Sequence, residues 1–303
     1  MKIKSMSDYN RLSGLCARAL DNQKIKVLVS ADTGGVAVGA LEIYHQLKEL
    51  IEEQGLLADL DLSRQKTGIG IKKSGCFGCF EGGPLVKILP HDYLYLEVKK
   101  EDCAEIVQTT LIEGKPIERL MFKRDGVLCA AQDEIPYYKK QLKLVLENCG
   151  KIDPESIEEY IVRGGYRGLA KCIYEMVPEQ ICREVLDSNL RGRGGGGFPT
   201  GRKWTQVLAQ KSEIKYVVCN GDEGDPGAFM DRCIMEGDPH LVIEGMAIAG
   251  YATRSAEGYI YVRAEYPLAV QRLKIAIEQA GRYGFLGEDI MGSGFNFNIK
   301  IVR

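Results

Sequence analysis

The chain has 303 residues, 45% hydrophobic and 27% charged, and its 40 Lys and Arg against 42 Asp and Glu leave a net charge of −2. That composition excludes a disordered or fibrous chain, and the balanced charge gives no bulk electrostatic case for nucleic acid or an anionic membrane as partner. No run approaches the ~20 apolar residues of a membrane span, and the first 14 residues hold no apolar segment of the secretory kind. Ten cysteines at irregular spacing do not form a secreted disulfide framework, so reducing cytoplasm is the expected location. At about 150 residues per domain, the length suggests two domains.

Residues 1–124 read as one α/β unit. Ile25–Val29 is a short β-rich run and 31–35 a loop. Val36–Gln54 has helical spacing, with Ala40, Ile43, Leu47 and Leu50 on one face and Gly55 as its stop. A strand over 56–62, a Gly/Cys loop over 68–84, strands at 85–89 and 93–98, and a helix over 101–112 complete the pattern. Strand, helix, strand, then strand, strand, helix is the order of a thioredoxin-like domain. Residues 125–190 are expected to be a linker (125–136) and a helical connector. In the connector, Asp153-Pro154 and Pro178 open helices and Gly164-Gly165 closes one.

Residues 191–303 return to α/β, with strands at 215–219, 258–263 and 295–301. Helices are expected over 240–252 and 267–280, the second stopped by Gly281. Strands separated by helices imply a parallel sheet with right-handed crossovers.

Glycine is the compositional outlier, at 35 residues, and it clusters in Leu190-Arg-Gly-Arg-Gly-Gly-Gly-Gly-Phe-Pro-Thr-Gly-Arg-Lys-Trp204. Gly192, Gly194 and Gly197 satisfy G-x-G-x-x-G. The preceding segment reads as helix, however, and the dinucleotide fingerprint needs a strand there. Consecutive glycines expose backbone N–H groups, and a helix starting near Thr200 aims its positive end the same way. With Arg191, Arg193, Arg202 and Lys203 this makes an anion cradle suited to phosphate. A flexible surface hinge is the competing reading.

A second cluster, Cys219-Asn-Gly-Asp-Glu-Gly-Asp-Pro-Gly-Ala-Phe-Met-Asp-Arg232, follows an expected strand. Ligands of open α/β sheets bind at that carboxyl edge. Asn220, Asp222, Glu223 and Asp225 offer side-chain acceptors there. A solvated acidic turn is the alternative, and the spacing does not fit a calcium loop. Seven other cysteines (Cys16, Cys103, Cys129, Cys149, Cys172, Cys182 and Cys233) read as buried or tolerated thiols. His45, His91 and His240 show no ligand spacing, and Trp204 and Tyr216 are assigned to the core.

These two clusters, together with IEGMAIAGYA, GYIYVRAEYPLAV, GFLGEDIMGSGFNFNI and the connector YYKKQLKLVLENCGKIDPESIEEYIVRGGY, resemble the NADH-binding FMN flavoprotein subunit of respiratory complex I. They also resemble the related subunits of soluble NAD(P)-dependent hydrogenases, including the electron-bifurcating type, in which a thioredoxin-like ferredoxin domain is fused at the N-terminus. The resemblance implies a Rossmann-like flavin domain over 191–303 with NAD(H) or NADP(H) over FMN. It implies hydride transfer between nicotinamide and flavin, and single electrons passed to iron–sulfur clusters of partner subunits in a complex with a further catalytic subunit.

Carried over by position, the resemblance assigns Gly192, Arg193, Gly194 and Lys203, with Gly195 and Gly197, to the FMN phosphate and ring edge. It assigns Asn220, Asp222 and Glu223 to the flavin or its ribityl chain, Phe198 to stacking on the nicotinamide nucleotide, and Asp225 to the place of a contacting glutamate. It needs no general base.

The pattern also departs from that family. Relatives continue with a second glycine-rich segment and cluster-binding cysteines, so the 303 residues alone are expected to turn over NADH poorly. Relatives hold a [2Fe–2S] cluster through C-x₄-C and C-x₃-C, and those four positions are Ser30, Gly35, Cys76 and Phe80 here. No cluster is expected in 1–124. Cys76 and Cys79 form a C-x-x-C that reads as a structural remnant or a redox pair. Met230 and Gln206 replace a lysine and a phenylalanine common in relatives. A non-catalytic assembly module with degenerate cofactor sites is the second reading of the whole chain.

Overall fold

The computed structural model describes residues 2–63 and 66–303, and of Phe80 the backbone only. The chain divides into two compact units. One comprises Gly14–Glu159 with Glu236–Asp238, the other Met1–Ser13, Tyr160–Met235 and Pro239–Arg303. Helix α1 (Met6–Asp21), which the pattern did not reveal, gives its first half to the latter and its second half to the former.

In the first unit, β1 (Gln23–Ser30) is followed by α2 (Thr33–Ala37), α3 (Ala40–Glu53), β2 (Gly68–Ser74), β3 (Val86–Leu89) and β4 (Tyr93–Tyr95). The sheet order is β2-β1-β3-β4, with β1 and β2 parallel, β3 antiparallel to β1, and β3–β4 a hairpin. This is the thioredoxin-like arrangement. Strand β1 is central and buried on both faces. Val27 and Val29 join Ile43, Leu47, Ile51 and Ile106 in one core, whereas Leu28 joins Phe77, Leu85 and Leu94 in the other. That division follows from the two-residue period of a strand. Helix α4 (Asp102–Glu105) runs on as a π-helical stretch, Ile106–Ile112. The hairpin β5 (Phe122–Arg124)–β6 (Val127–Cys129) and α5 (Pro136–Lys139) complete the unit.

Several expectations are corrected here. The second strand is Gly68–Ser74, not 56–62; Leu57 makes only an isolated bridge to Ile69. The pattern hid this strand because two of its residues are lysines, and Lys72 is buried in an ion pair with Glu159 at 2.6 Å. The loop at 31–35 holds α2, capped by the Asp32 carboxylate on the amides of Gly34 and Gly35. The expected linker over 125–136 contains a hairpin turn at Asp125-Gly126, with φ of 52° and 79°. Asp-Gly is the signal for a turn that needs positive φ at both positions.

In the second unit, α6 (Ile157–Val162), α7 (Arg167–Glu175), α8 (Pro178–Asp187) and α9 (Thr200–Leu208) precede β7 (Tyr216–Gly221). Then come α10 (Met230–Gly237), α11 (Pro239–Thr253), β8 (Glu257–Val262), α12 (Pro267–Tyr283) and β9 (Asn298–Val302). The sheet β7-β8-β9 is parallel throughout. Helix α11 packs on β7 and β8, and α12 on β9 and α11. The other sheet face is open, with Val218 65% and Tyr216 52% exposed, so Tyr216 is not a core residue. Trp204 does pack, against the cluster of Cys172, Ile181, Cys182 and Ala252. Helix α12 runs past Gly281 and stops at Gly284, which is left-handed at φ 84°. The last strand begins at Asn298, because Phe297 is fully buried and pairs with Gly287 instead. All seven cysteines read as buried thiols are buried.

A buried polar network ties this unit together. The Glu244 carboxylate accepts from the Tyr160 hydroxyl (2.6 Å) and from the amides of Tyr166 (2.7 Å) and Leu169 (3.1 Å) at the start of α7. His240 bonds the Tyr166 hydroxyl through Nδ1 and Gln279 through Nε2.

Candidate functional site

The glycine loop is closed at its neck and open at its tip. Gly192 N–H donates to the Phe198 carbonyl at 2.9 Å, Thr200 N–H to the Leu190 carbonyl at 2.9 Å, and Arg191 Nη1 to the Gly197 carbonyl at 3.2 Å. Gly195 and Gly197 have positive φ, 96° and 58°, which glycine adopts without strain. Between these ties, no partner within the described residues takes the amides of 193–197. A Cβ added at Gly194, Gly195 or Gly196 would meet nothing within 4 Å. The loop is thus a row of unclaimed N–H donors around open space.

Helix α9 starts at the end of this loop and is held by backbone contact. A Cβ on Gly201 would lie 2.3 Å from the Leu186 nitrogen in α8, so only glycine allows this crossing. The N-terminal amides of α9 and the partial positive charge of its dipole face the loop. Phe198 is 41% exposed, and the charged groups of Arg202 and Lys203 lie 5.8 and 6.0 Å from its ring centre. Arg193, Arg202 and Lys203 have no ion pair among the described residues.

The acidic cluster lies at the carboxyl end of β7. Asn220 Oδ1 accepts the Asp222 N–H at 3.0 Å, an Asx turn that leaves the Asn220 amide nitrogen, Asp222 and Asp225 facing solvent. Glu223 points the other way. It is 7% exposed and accepts from the N–H groups of Met230 (2.6 Å), Asp231 (3.2 Å) and Arg232 (3.3 Å), the first turn of α10. The Tyr266 hydroxyl adds a fourth bond at 3.2 Å, and Arg263 Nη1 donates to the Glu223 carbonyl. The guanidinium groups of Arg232 and Arg263 each lie over the Tyr266 ring, 5.7 Å from its centre.

Sequence reasoning missed Arg263, Tyr266 and Arg232 as the support of this loop. Nothing in their spacing marks them; only the fold brings the β8–α12 junction beside the β7 loop. Burial pushes the Cys219 thiol up to about 11, aided by the charge of Asp231. Burial and the Glu223 charge raise the Asp231 carboxyl. Among the described residues no hydrogen bond or ion pair joins the glycine loop to the acidic cluster. Met230 and Gln206 are exposed.

The residues fit FMN: open glycine positions, unclaimed amides at a helix start, free cations, and exposed amide and carboxylate groups at a parallel-sheet edge. The residues at the first unit's cluster positions do not fit a [2Fe–2S] group. A Cβ on Gly35 would lie 1.9 Å from the Ser30 carbonyl oxygen. The cavity lined by Ser30, Gly35, Val38, Cys76, Cys79 and Leu85 is about 10 Å³, room for one water. Cys76 Sγ accepts the Gly78 N–H at 3.1 Å. The Phe80 side chain lies outside the described residues. Among the described residues no three His, Cys, Asp or Glu side chains gather as metal ligands, and no helix is long and apolar enough to cross a membrane.

The chain is 58% identical over 163 residues to the NADP-reducing hydrogenase subunit HndC of Solidesulfovibrio fructosivorans, covering 54% of this chain and 33% of that one. It is 48% identical over 160 residues to an NADH-quinone oxidoreductase subunit of Rhizobium meliloti, covering 53% and 38%. The chain thus spans 33% and 38% of the length of these two relatives. An NAD⁺-reducing [NiFe]-hydrogenase structure aligns over 97% of this chain and 48% of its own, with a TM-score of 0.42 and 17% identity. The sequence profile described as the Nuo51 FMN-binding domain matches residues 185–303. That span contains both clusters, so the glycine loop and the acidic loop both lie in the segment that is similar to the Nuo51 FMN-binding domain.

Proposed function

We propose that this chain carries the flavin site of an FMN-containing NAD(P)H oxidoreductase subunit that works in the cytoplasm within a multisubunit complex. In that complex it passes electrons to iron–sulfur subunits and a further catalytic subunit. The observation that carries this reading is the loop of unclaimed amides and open glycine positions at the start of α9, inside a segment similar to the Nuo51 FMN-binding domain. The working divisions are 1–124 as the thioredoxin-like part, 125–190 as connector and 191–303 as the flavin part.

Gly192, Gly194, Gly195 and Gly197 cradle the FMN phosphate with their backbone, and Arg193 and Lys203 neutralise it. Asn220 and Asp222 meet the flavin or its ribityl chain from the sheet edge. Phe198 gives the nucleotide a stacking surface, and Asp225 contacts it. Glu223 works one step back, holding the loop that presents Asn220 and Asp222. When bound, FMN supplies the hydride and one-electron chemistry, and the protein supplies position and charge. Residues 1–124 hold no [2Fe–2S] cluster.

Gly194→Val tests the site. A Cβ there meets no protein atom within 4 Å, so the branch point of the valine fits the fold while its methyls fill the cradle. FMN affinity by equilibrium dialysis should fall at least tenfold. An affinity within twofold of wild type refutes the assignment.

A further inference from the structure

We propose that Cys76 and Cys79 form a reversible dithiol–disulfide couple that exchanges with small-molecule disulfides, with the Tyr138 hydroxyl as the donor that holds the Cys79 thiolate. It is a two-electron site in the first unit, separate from the glycine loop. Both cysteines are thiols in this structure, and both line one small cavity with Ser30, Gly35 and Leu85. Phe77 between them is fully buried with Leu28, Leu85 and Leu94 and anchors the segment. Gly78 turns the chain at φ 95° and gives its N–H to Cys76 Sγ at 3.1 Å. Cys76 is 8% exposed, whereas Cys79 is only half-buried and open to a reagent.

The surroundings differ from those of an inert buried thiol. Tyr138 is 6% exposed, and its hydroxyl has no hydrogen-bond partner among the described residues; Gln132 beside it falls outside bonding geometry. A buried hydroxyl without a partner is costly, and a thiolate is the acceptor this one lacks. Burial, and then the charge of Cys79, push that hydroxyl up, so it stays protonated and serves as a donor. Lys143 Nζ donates to the Phe77 carbonyl at 3.4 Å and lies 5.8 Å from the Tyr138 ring centre. An amide, a hydroxyl and an ammonium thus gather about the Cys76–Cys79 segment, and each favours the thiolate, which is the attacking species. Cys149, by contrast, is 3% exposed, and burial pushes its thiol up to about 12, so it stays a bystander.

In the exchange, the Cys79 thiolate attacks one sulfur of a disulfide RSSR, whose S–S bond breaks and releases RS⁻. The Cys76 thiolate then attacks the Cys79 sulfur and expels the second RS⁻. The two thiol protons go to these leaving groups. Two Cys–SH and one RSSR become one Cys76–Cys79 disulfide and two RSH.

The test equilibrates the full chain anaerobically in mixtures of oxidised and reduced glutathione, followed by acid quench, alkylation and tryptic digestion. Residues 74–87 form one tryptic peptide that holds Cys76 and Cys79 and no other cysteine. As the oxidised share rises, this peptide should lose alkylation at both sites together and become two hydrogens lighter. It should regain both sites on return to reduced glutathione. A glutathione adduct that persists on Cys79, a link from Cys76 to Cys149, or two alkylated thiols at every ratio overturns the proposal. Tyr138→Phe keeps the ring and removes the donor. The pH at which alkylation of Cys79 reaches half its maximal rate should then rise by about one unit. An unchanged pH profile overturns the role given to Tyr138.

Discussion

Glu223→Gln is the sharpest test of how the acidic loop is held. The carboxylate is buried and takes four hydrogen bonds, three from the first turn of α10 and one from Tyr266. The amide keeps the shape but retains one acceptor oxygen and turns an NH₂ group toward N–H donors. Two of the four bonds are lost. At about 1.5–3 kcal/mol for a bond to a charged group, discounted because the two share one carboxylate, the loss should be about 3 kcal/mol. Removing the negative charge from the helix start adds about 0.5 kcal/mol. Trp204 is the single tryptophan and is packed within the same unit. Urea unfolding followed by its fluorescence therefore reports on the right part of the chain. Tyr266→Phe, which removes one bond, should cost about 1 kcal/mol, and the exposed Asp222→Asn under 0.5 kcal/mol. If Glu223→Gln unfolds within 0.5 kcal/mol of wild type yet loses FMN affinity, Glu223 faces the flavin and its structural role is refuted.

Gly201→Ala should lower the denaturation midpoint by the equivalent of about 2–3 kcal/mol, since its Cβ would meet the Leu186 backbone; Gly196→Ala, which meets nothing, is the control, and equal midpoints for the two would contradict the packing. His240 is fully buried, and burial holds its imidazole down at about 4, below the ordinary 6.5. The unfolded chain therefore binds the proton first, and stability should be intact above pH 6.5 and decline by up to about 3 kcal/mol as the pH falls from 6.5 to 4. His240→Gln should flatten that decline, and an unchanged pH dependence would show the histidine is not its source. Anaerobic reconstitution of the whole chain with iron and sulfide should leave residues 1–124 without a cluster. Restoring cysteine at Ser30, Gly35 and Phe80 should not create one, because position 35 abuts the Ser30 carbonyl. About two irons per chain with a rhombic EPR signal in either sample would show the site can open.

Periodicity and punctuation in the sequence located β1, the helices at 40–53, 239–253 and 267–283, and the three parallel strands. In all of these but β7, whose Tyr216 and Val218 are exposed, the apolar spacing agrees with the burial the fold imposes, so local pattern and global structure carry the same information. The glycine loop was equally legible, because exposed amides beside a helix start are a property of the chain itself. Strand β2 was not: its Lys72 is tolerable inside only because Glu159, 87 positions later, sits 2.6 Å away. The Asp125-Gly126 turn was legible in the dipeptide itself, although the surrounding segment reads as a linker. The roles within the acidic cluster could be decided only by the tertiary structure. Asn220, Asp222, Glu223 and Asp225 are alike in sequence as solvent-seeking acceptors. Folding brings the α10 amides, Tyr266 and Arg263 around Glu223 and leaves its neighbours outside. A carboxylate turns inward where enough donors converge to replace its water, and those donors come from 7 to 43 residues away, beyond the reach of any local pattern.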